Sequence, residues 1–179
     1  DVYKRQIIRT AEIKPLEEEY QADGNRLVIY YGDENCQKEQ LLKYFMQDKK
    51  AFYYRACPAS EQQQRKMMGM QIEEQYDAAI KKYTYEEYFN RIKSGDASKL
   101  VVIIDEFHHI AKKDDTFLEA IMKLKAKRLY PGPVLIILAS SAFKWIEEEG
   151  RELLKASLKK VDRIAVSYTH LRAHETSQD

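Results

Sequence analysis

The chain has 179 residues, which is enough for one α/β domain with a core of about five strands. Its 30 basic residues balance 29 acidic ones, so the overall charge gives no support for extensive binding to a nucleic-acid backbone. No apolar run is long enough to span a bilayer, and Cys36 and Cys57 have neither metal-binding nor redox spacing. We therefore expect a cytoplasmic protein with reduced thiols and no membrane partner.

The two ends of the chain are expected to be non-native. A DNA element that encodes residues 1–6 (DVYKRQ) also encodes, on its reverse strand, the VSYTHL of residues 166–171. This element resembles the transposase adapter used to prepare sequencing libraries. We therefore expect adapter-derived sequence at 1–6 and 166–179 and a truncated native domain at 7–165, with native regions missing beyond both limits.

Helical and strand patterns alternate along the first half of the chain. Gly32 is predicted to end the first strand, Ser60 to cap a long polar helix, and the glutamines of that helix to face solvent. The predicted elements are a short helix beginning near residues 12–15, a strand at 27–31, a helix at 37–47, a strand at 50–56, and helices at 60–82 and 84–95.

The stretch at residues 100–107 reads Leu-Val-Val-Ile-Ile-Asp-Glu-Phe. Five consecutive aliphatic residues predict a strand that is buried on both faces, which is typical of a parallel sheet covered by helices. Burying two unpaired carboxylates side by side would cost several kcal/mol. We therefore expect Asp105 and Glu106 at the C-terminal rim of the sheet, where α/β folds bind ligands. The alternative is a strand that simply ends in solvated acids.

The second half repeats the alternation of helices and strands. A helix is predicted at 114–129, an apolar strand at 134–138 followed by Ala139, Ser140 and Ser141, a helix at 143–159, and the start of a fifth strand at 161–166. Strands that alternate with helices imply right-handed crossovers. The predicted fold is α/β, with three layers and a parallel sheet of about five strands that is truncated near the fifth.

The segment between the first strand and its helix, residues 32–39, lies where a phosphate-binding loop belongs. Gly32 and Lys38 match two of the four diagnostic positions. Gln37 replaces a glycine, and Glu39 replaces the hydroxyl residue that binds magnesium. The other candidate nucleotide contacts in this segment are Asp33, Glu34, Asn35 and Cys36.

The order of this loop, the Asp105-Glu106 pair and the Ser140-Ser141 pair resembles the archaeal and bacterial P-loop ATPase family, which is AAA-like and related to the STAND ATPases. Members read roughly YGRRRVGKT, DE and GSS at these places. The resemblance covers about residues 7–161 and implies the three-layer P-loop NTPase fold, ATP as the nucleotide and Mg²⁺ as its cofactor.

The resemblance also implies roles for individual residues. Lys38 would contact phosphate, and Asp105 would hold Mg²⁺, for which Glu39 is a second candidate ligand. Glu106 would be the catalytic base that activates water, and Ser140 or Ser141 would be the polar sensor of the nucleotide.

The degenerate loop leaves two functions open. One carboxylate about 6 Å from a phosphate charge costs about 2–3 kcal/mol at an effective dielectric near 20, so Glu39 opposes nucleotide binding. The first function is an ATP-binding domain that hydrolyses ATP as a molecular switch. The alternative is a non-catalytic protein-interaction module that keeps the fold without the nucleotide. Both functions imply a protein partner or a missing C-terminal region. The sequence gives no strong indication of nucleic-acid binding.

The histidines add little to this interpretation. His108 and His109 are adjacent and cannot share one helical face, so helix-start or loop positions are favoured over a metal site. His170 and His174 fall in the expected adapter-derived tail.

Overall fold

A computed structural model describes residues 2–32, 37–127, 131–157 and 159–167, without the side chains of 2–11 and 157. Five parallel strands form one sheet in the order β2-β3-β4-β1-β5. The strands are β1 (Arg26–Tyr31), β2 (Ala51–Arg55), β3 (Leu100–Asp105), β4 (Val134–Ser140) and β5 (Arg163–Val166). The predicted parallel α/β sheet is therefore confirmed.

Helices cover both faces of the sheet. The described helices are α1 (Val2–Gln21), α2 (Lys38–Met46), α3 (Glu61–Tyr76), α4 (Tyr85–Arg91), α5 (His108–Ala111), α6 (Asp115–Lys127), α7 (Phe143–Glu147) and α8 (Glu149–Ser157). One apolar cluster joins α1 and α2 to the sheet, and a second joins α3, α4 and α6 to the opposite face. These clusters give the three-layer arrangement. None of the described helices is both long and apolar enough to cross a membrane.

The central strands are buried because helices cover both of their faces. Every residue of β3 and of β4 is buried, which explains why neither strand alternates between apolar and polar residues. Along β3, Val101 and Ile103 face α1 and α2, whereas Val102 and Ile104 face the other layer. Asp105 continues the first of these series and so emerges on the α2 side.

The N-terminal helix is longer than its sequence pattern predicts. We expected a start near residues 12–15, with Pro15 in the first turn, but α1 begins at Val2 and Pro15 lies inside it. A proline inside a helix removes one backbone hydrogen bond and crowds the preceding turn, so the helix needs other contacts to continue through Pro15. Ile13 and Leu16 are buried against the sheet and α2, and this packing holds the helix on both sides of the proline.

The glutamines of α3 form the predicted solvated face only in part. Gln62 and Gln63 are exposed, whereas Gln64 is buried and Gln71 and Gln75 bind the backbone of β2. The amide nitrogen of Gln71 donates to the carbonyl of Tyr53 (2.5 Å), and that of Gln75 donates to the carbonyl of Ala51 (3.1 Å). Because β2 is at the edge of the sheet, these carbonyls have no strand partner on their outer side. Side-chain amides therefore satisfy the edge strand and fix α3 against it.

Gln64, at the start of α3, is also not solvated. It is buried, and its side-chain oxygen accepts a hydrogen bond of 2.6 Å from the Tyr54 hydroxyl. Ser60 caps the helix as predicted: its hydroxyl accepts from the N–H of Gln63, and the side-chain oxygen of Gln63 accepts from the N–H of Ser60. The helix ends at Tyr76 rather than near residue 82, because Asp77 adopts a left-handed conformation (φ 46°).

The helix predicted at 143–159 is divided into α7 and α8, which meet at Glu148 (φ −105°, ψ −87°). A Cβ atom placed on Gly150 would lie 2.8 Å from the Trp145 ring, so glycine allows the indole to pack across the break. Strand β5 begins at Arg163 rather than at 161, and Val166, the first residue of the expected adapter-derived tail, pairs with Tyr31 of β1.

Candidate functional site

The C-terminal ends of β1, β3 and β4 lie side by side because these strands are neighbours in the sheet. The Gly32 N–H, after β1, donates to the carbonyl of Ser140 in β4 (3.2 Å), and the Phe107 N–H, after β3, donates to the carbonyl of Ala139 (3.1 Å). The segments that follow these strands are thereby tied together. Carboxyl ends of parallel strands are where ligands bind in open α/β folds.

Lys38 is the first residue of α2 and connects the loop after β1 to the acids after β3. Its side chain is only 6% exposed, and its ammonium group pairs with the Asp105 carboxylate and with Glu106 Oε1 (3.0 Å). A buried ammonium without partners would be strongly unfavourable, so the two acids account for its position. The structure brings together these three predicted site residues.

Asp105 is completely buried at the end of β3, and donors surround its carboxylate. Oδ2 accepts a hydrogen bond of 2.5 Å from the Tyr53 hydroxyl, and Oδ1 accepts from Lys38 and from the N–H of Glu106 (2.9 Å). Burial, followed by the hydrogen bond to Asp105, raises the pKa of Tyr53 well above its usual range. Tyr53 therefore remains a protonated donor, which fixes the orientation of the carboxylate.

Glu106 turns back toward β4 because its backbone is left-handed, with a φ of 54°. A non-glycine residue in this region costs of order 1–3 kcal/mol, and such strain is common at functional sites. Oε1 accepts from the Ser141 N–H (2.9 Å) and Oε2 from the Ser141 hydroxyl (2.8 Å). Burial raises the pKa of Glu106, but the charge and hydrogen bonds of Lys38 and Ser141 outweigh it, so the net pKa is lowered.

Ser140 and His108 form a buried pair behind Glu106. The Ser140 hydroxyl lies 2.8 Å from His108 Nδ1 and accepts the N–H of Ala142 (3.0 Å). Burial, with a further contribution from His109, lowers the pKa of His108 to about 4. His108 is consequently neutral at physiological pH.

Gln37 and Glu39 occupy the two positions that depart from the phosphate-loop pattern. Gln37 takes up the left-handed conformation (φ 58°) that a glycine adopts without strain, so the missing glycine does not change this backbone angle. The Glu39 carboxylate pairs with Lys43 (2.8 Å) and Arg55 (2.5 Å). The hydrogen bond from Lys43 is the largest of the effects that lower the pKa of Glu39.

A cleft of about 360 Å³ opens among these groups. Two cationic and two anionic side chains line it, so the lining carries no net charge. The lining residues are Gln37, Lys38, Glu39, Gln40, Arg55, Glu106 and Ser141. The other predicted loop contacts, Asp33, Glu34, Asn35 and Cys36, lie outside the described residues.

Sequence reasoning missed two residues of β2 at this site, Tyr53 and Arg55. Arg55 pairs in register with Asp105, and two-residue periodicity places Tyr53 on the same face of the sheet. The alternation of residues along β2 places Tyr53 and Arg55 on one face of the strand. It indicates a position at the site only once β2 is known to lie beside β3. For His108 the sequence favoured a helix-start or loop position over a metal site, and in the structure its ring lies beside Glu106 and Ser140.

No protein-family model and no curated protein sequence matches the chain. Solved structures do match, among them ORC1 of Aeropyrum pernix in complex with DNA (TM-score 0.57, 16% identity, 88% of this chain and 44% of that one). The Walker-type ATPase of Pyrococcus abyssi also matches (TM-score 0.57, 14% identity, 89% of this chain and 53% of that one). The strand order of the sheet and these structural matches indicate the same fold. The chain has the P-loop NTPase fold.

A third P-loop match is the Drosophila ORC bound to AT-rich DNA and Cdc6, with a TM-score of 0.55 and 12% identity over 96% of this chain and 59% of that one. The chain thus spans about half the length of the P-loop structures it matches. Lys38 is the first residue of α2, directly after the segment that follows β1.

Proposed function

We propose that the chain binds Mg-ATP in the cleft between the start of α2 and the end of β3 and hydrolyses its terminal phosphate. The observation that carries the proposal is the contact of Lys38 with both Asp105 and Glu106. A lysine at a helix start and two acids at a neighbouring strand end are the parts that phosphoryl transfer requires.

The phosphate groups of ATP would be held by Lys38 and the backbone N–H groups at the start of α2, where the helix dipole favours an anion. An incoming phosphate competes with the two carboxylates for the Lys38 ammonium. Because that ammonium is almost buried, its attraction for a phosphate oxygen is less screened than at the surface.

Oxygens of Glu39, Glu106 and Ser141 line the cleft, and magnesium prefers carboxylate, hydroxyl and water ligands. Asp105 is fully buried behind the cleft, where Tyr53 and Lys38 hold its oxygens, so it would hold the ion only after Lys38 turns to the phosphate. Asp105 is the proposed ligand from β3, and Glu39 is the proposed ligand at the position where P-loop proteins carry a hydroxyl. Bound magnesium supplies positive charge that offsets the charge on the transferred phosphoryl group.

Glu106 is the proposed general base. Its lowered pKa keeps the carboxylate ionised near neutral pH, and the Ser141 N–H and hydroxyl fix both of its oxygens. An ionised, oriented carboxylate can accept the proton of an attacking water. Ser140 and Ser141 are the proposed polar sensor, because they connect the end of β4 to Glu106 and His108.

The non-catalytic interaction module remains the second proposal, and Glu39 favours it. An acid replaces the hydroxyl that would bind magnesium, and Arg55 and Lys43 already engage that acid. On this proposal the fold is kept for binding a protein, and the Lys38 ion pairs are purely structural.

Calorimetric titration of the full chain with Mg-ATP distinguishes the ATP-binding domain from the non-catalytic interaction module. Saturable binding that is lost in Lys38→Ala and kept in Lys66→Ala, an exposed lysine of α3, supports the nucleotide site. Lys38→Ala leaves two buried acids unpaired, so Lys38→Arg, which keeps the charge, is measured beside it. Glu106→Gln should retain binding and lower hydrolysis by about 10²-fold or more. A folded chain that gives no heat at millimolar ATP supports the interaction module.

The regions and partners beyond the domain are also proposals. We propose a native domain at 7–165 flanked by adapter-derived sequence, located in the cytoplasm, and a protein partner or a C-terminal region missing from this chain. The ORC1 and ORC matches were solved with DNA. The near-neutral charge of this chain favours a protein partner over DNA, and a weak salt dependence of any DNA binding would agree with that.

A further inference from the structure

Three possible metal ligands converge beside the proposed nucleotide site. One ligand atom from each of Glu106, His108 and His109 lies within 4.8 Å of the other two. The two imidazole rings, which we expected to diverge because the residues are adjacent, have centroids only 4.1 Å apart. The short helix α5 begins directly after the left-handed turn at Glu106, and this turn places the carboxylate beside both rings.

His109 has a buried nitrogen that no neighbouring group satisfies in the described part of the chain. Its Nδ1 atom is shielded from solvent and has no hydrogen-bond partner among the described residues. An unsatisfied buried polar atom costs about 1–3 kcal/mol, and in native proteins a bound ion can satisfy such an atom. Because imidazole nitrogen is a common metal ligand, this atom is available for coordination.

The other two groups are also arranged as ligands. The Ser140 hydroxyl holds Nδ1 of His108, which leaves Nε2 directed toward Glu106 Oε2 at 3.8 Å. A hydrogen bond on the far ring nitrogen is the usual way in which proteins orient a metal-binding histidine. Lys38 contacts Oε1, so Oε2 is the oxygen on the histidine side.

We propose that Glu106, His108 and His109 bind a divalent transition-metal ion such as Zn²⁺. Two imidazoles and one carboxylate suit zinc, cobalt or nickel, whereas magnesium prefers oxygen ligands. Ligand bonds of about 2.0–2.2 Å require the three groups to close by roughly an ångström. The ion would engage the oxygen of Glu106 that faces the histidines, and, if the proposed ATPase function holds, it would inhibit hydrolysis.

The test is titration of the full chain with Zn²⁺ in the absence of any nucleotide, so its outcome does not depend on ATP binding. The other potential ligands, Cys36, Cys57, His170 and His174, are replaced by serine or alanine in every sample. We expect one equivalent of Zn²⁺ to bind and to raise the melting temperature. Co²⁺ is titrated in parallel, because its visible absorption reports tetrahedral coordination.

Matched variants identify the ligands. His109→Ala and Glu106→Gln should each weaken Zn²⁺ binding at least tenfold, whereas Lys112→Ala, which keeps all three ligands in the same segment, should retain it. His109 is only partly buried, and circular dichroism checks that each variant is folded. Absence of Zn²⁺ binding in the folded parent overturns the proposal. Affinity that persists in His109→Ala or in Glu106→Gln overturns it as well.

Discussion

The carboxylate of Glu39 accepts a hydrogen bond of 2.5 Å from the guanidinium of Arg55, joining the first turn of α2 to the end of β2. From the sequence, Glu39 was an uncompensated negative charge where phosphate should bind. In the structure it has two cationic partners, Arg55 and Lys43, so its repulsion of an anion is partly cancelled. The departure from the phosphate-loop pattern thus includes a compensating residue on another strand.

Glu39→Thr should strengthen Mg-ATP binding by about tenfold, measured by calorimetry. The substitution removes a carboxylate worth about 2–3 kcal/mol of repulsion before compensation, restores a hydroxyl, and releases Arg55 to meet phosphate. Arg55→Gln is the matched control and should weaken binding, since it leaves Glu39 with one cation fewer. Threonine also offers an oxygen to magnesium, so tighter binding is compatible with Glu39 as the proposed magnesium ligand. Unchanged or weaker binding in Glu39→Thr would contradict the net repulsion predicted between the carboxylate and the phosphate.

Gln37→Gly should raise the free energy of unfolding by about 1 kcal/mol. Gln37 has a φ of 58°, where a side chain costs roughly 1–2 kcal/mol, and the extra freedom of glycine in the unfolded chain offsets part of that gain. Urea denaturation measures the change. Lys66→Gly in the exposed interior of α3 should have the opposite sign, losing about 1 kcal/mol. A destabilised Gln37→Gly would contradict the strain assigned to this position.

Stability should fall on acidification because of His108. Its pKa is about 4 in the folded state and about 6.5 when unfolded, so below pH 6.5 the unfolded chain takes up a proton that the folded chain excludes. Between pH 7 and 4.5, this difference between the two pKa values lowers the free energy of unfolding by about 2 kcal/mol. His108→Gln should abolish that contribution to the pH dependence of stability. Urea denaturation across this range provides the measurement. Parallel stability curves for parent and variant would refute the assignment.

Gln71→Ala should lower the free energy of unfolding by about 1 kcal/mol and increase aggregation. It removes the donor to the Tyr53 carbonyl and leaves that outward-facing carbonyl of β2 unpaired, while α3 and Gln75 stay in place. Gln62→Ala, an exposed glutamine at the start of the same helix, is the control and should change stability little. Thermal unfolding with light scattering reports both effects. Equal behaviour of the two variants would mean that the amide contributes nothing at the edge.

The sequence predicted the features that depend on neighbours along the chain. The aliphatic run that ends in two acids located β3 and the Asp105-Glu106 pair, and the apolar run before Ser140 located β4. Both runs were recognisable because a strand buried on both faces consists of consecutive apolar residues. Ser60 was recognised as a helix cap because capping is a local hydrogen bond.

The features that depend on the order of strands could not be predicted. Arg55 approaches Glu39 only because β2 lies beside β3, and helical periodicity gave no indication that Gln71 and Gln75 would meet unpaired carbonyls. The convergence of His108 and His109 depends on the left-handed turn at Glu106. Such a turn is not predicted at a residue other than glycine, because these residues rarely adopt a positive φ.

The two outer strands of the sheet differ in what they offer to another polypeptide. Glutamine amides from α3 occupy carbonyls of β2, so an added strand would have to displace that helix. At the opposite edge, β5 pairs only with β1 in the described structure, and Ile164 is 62% exposed. Among the described residues, an added strand therefore meets less obstruction beside β5 than beside β2. Two copies joined through β5 would present only their glutamine-covered β2 edges in the described part of the chain, so the same contact would not extend the pair into a longer polymer.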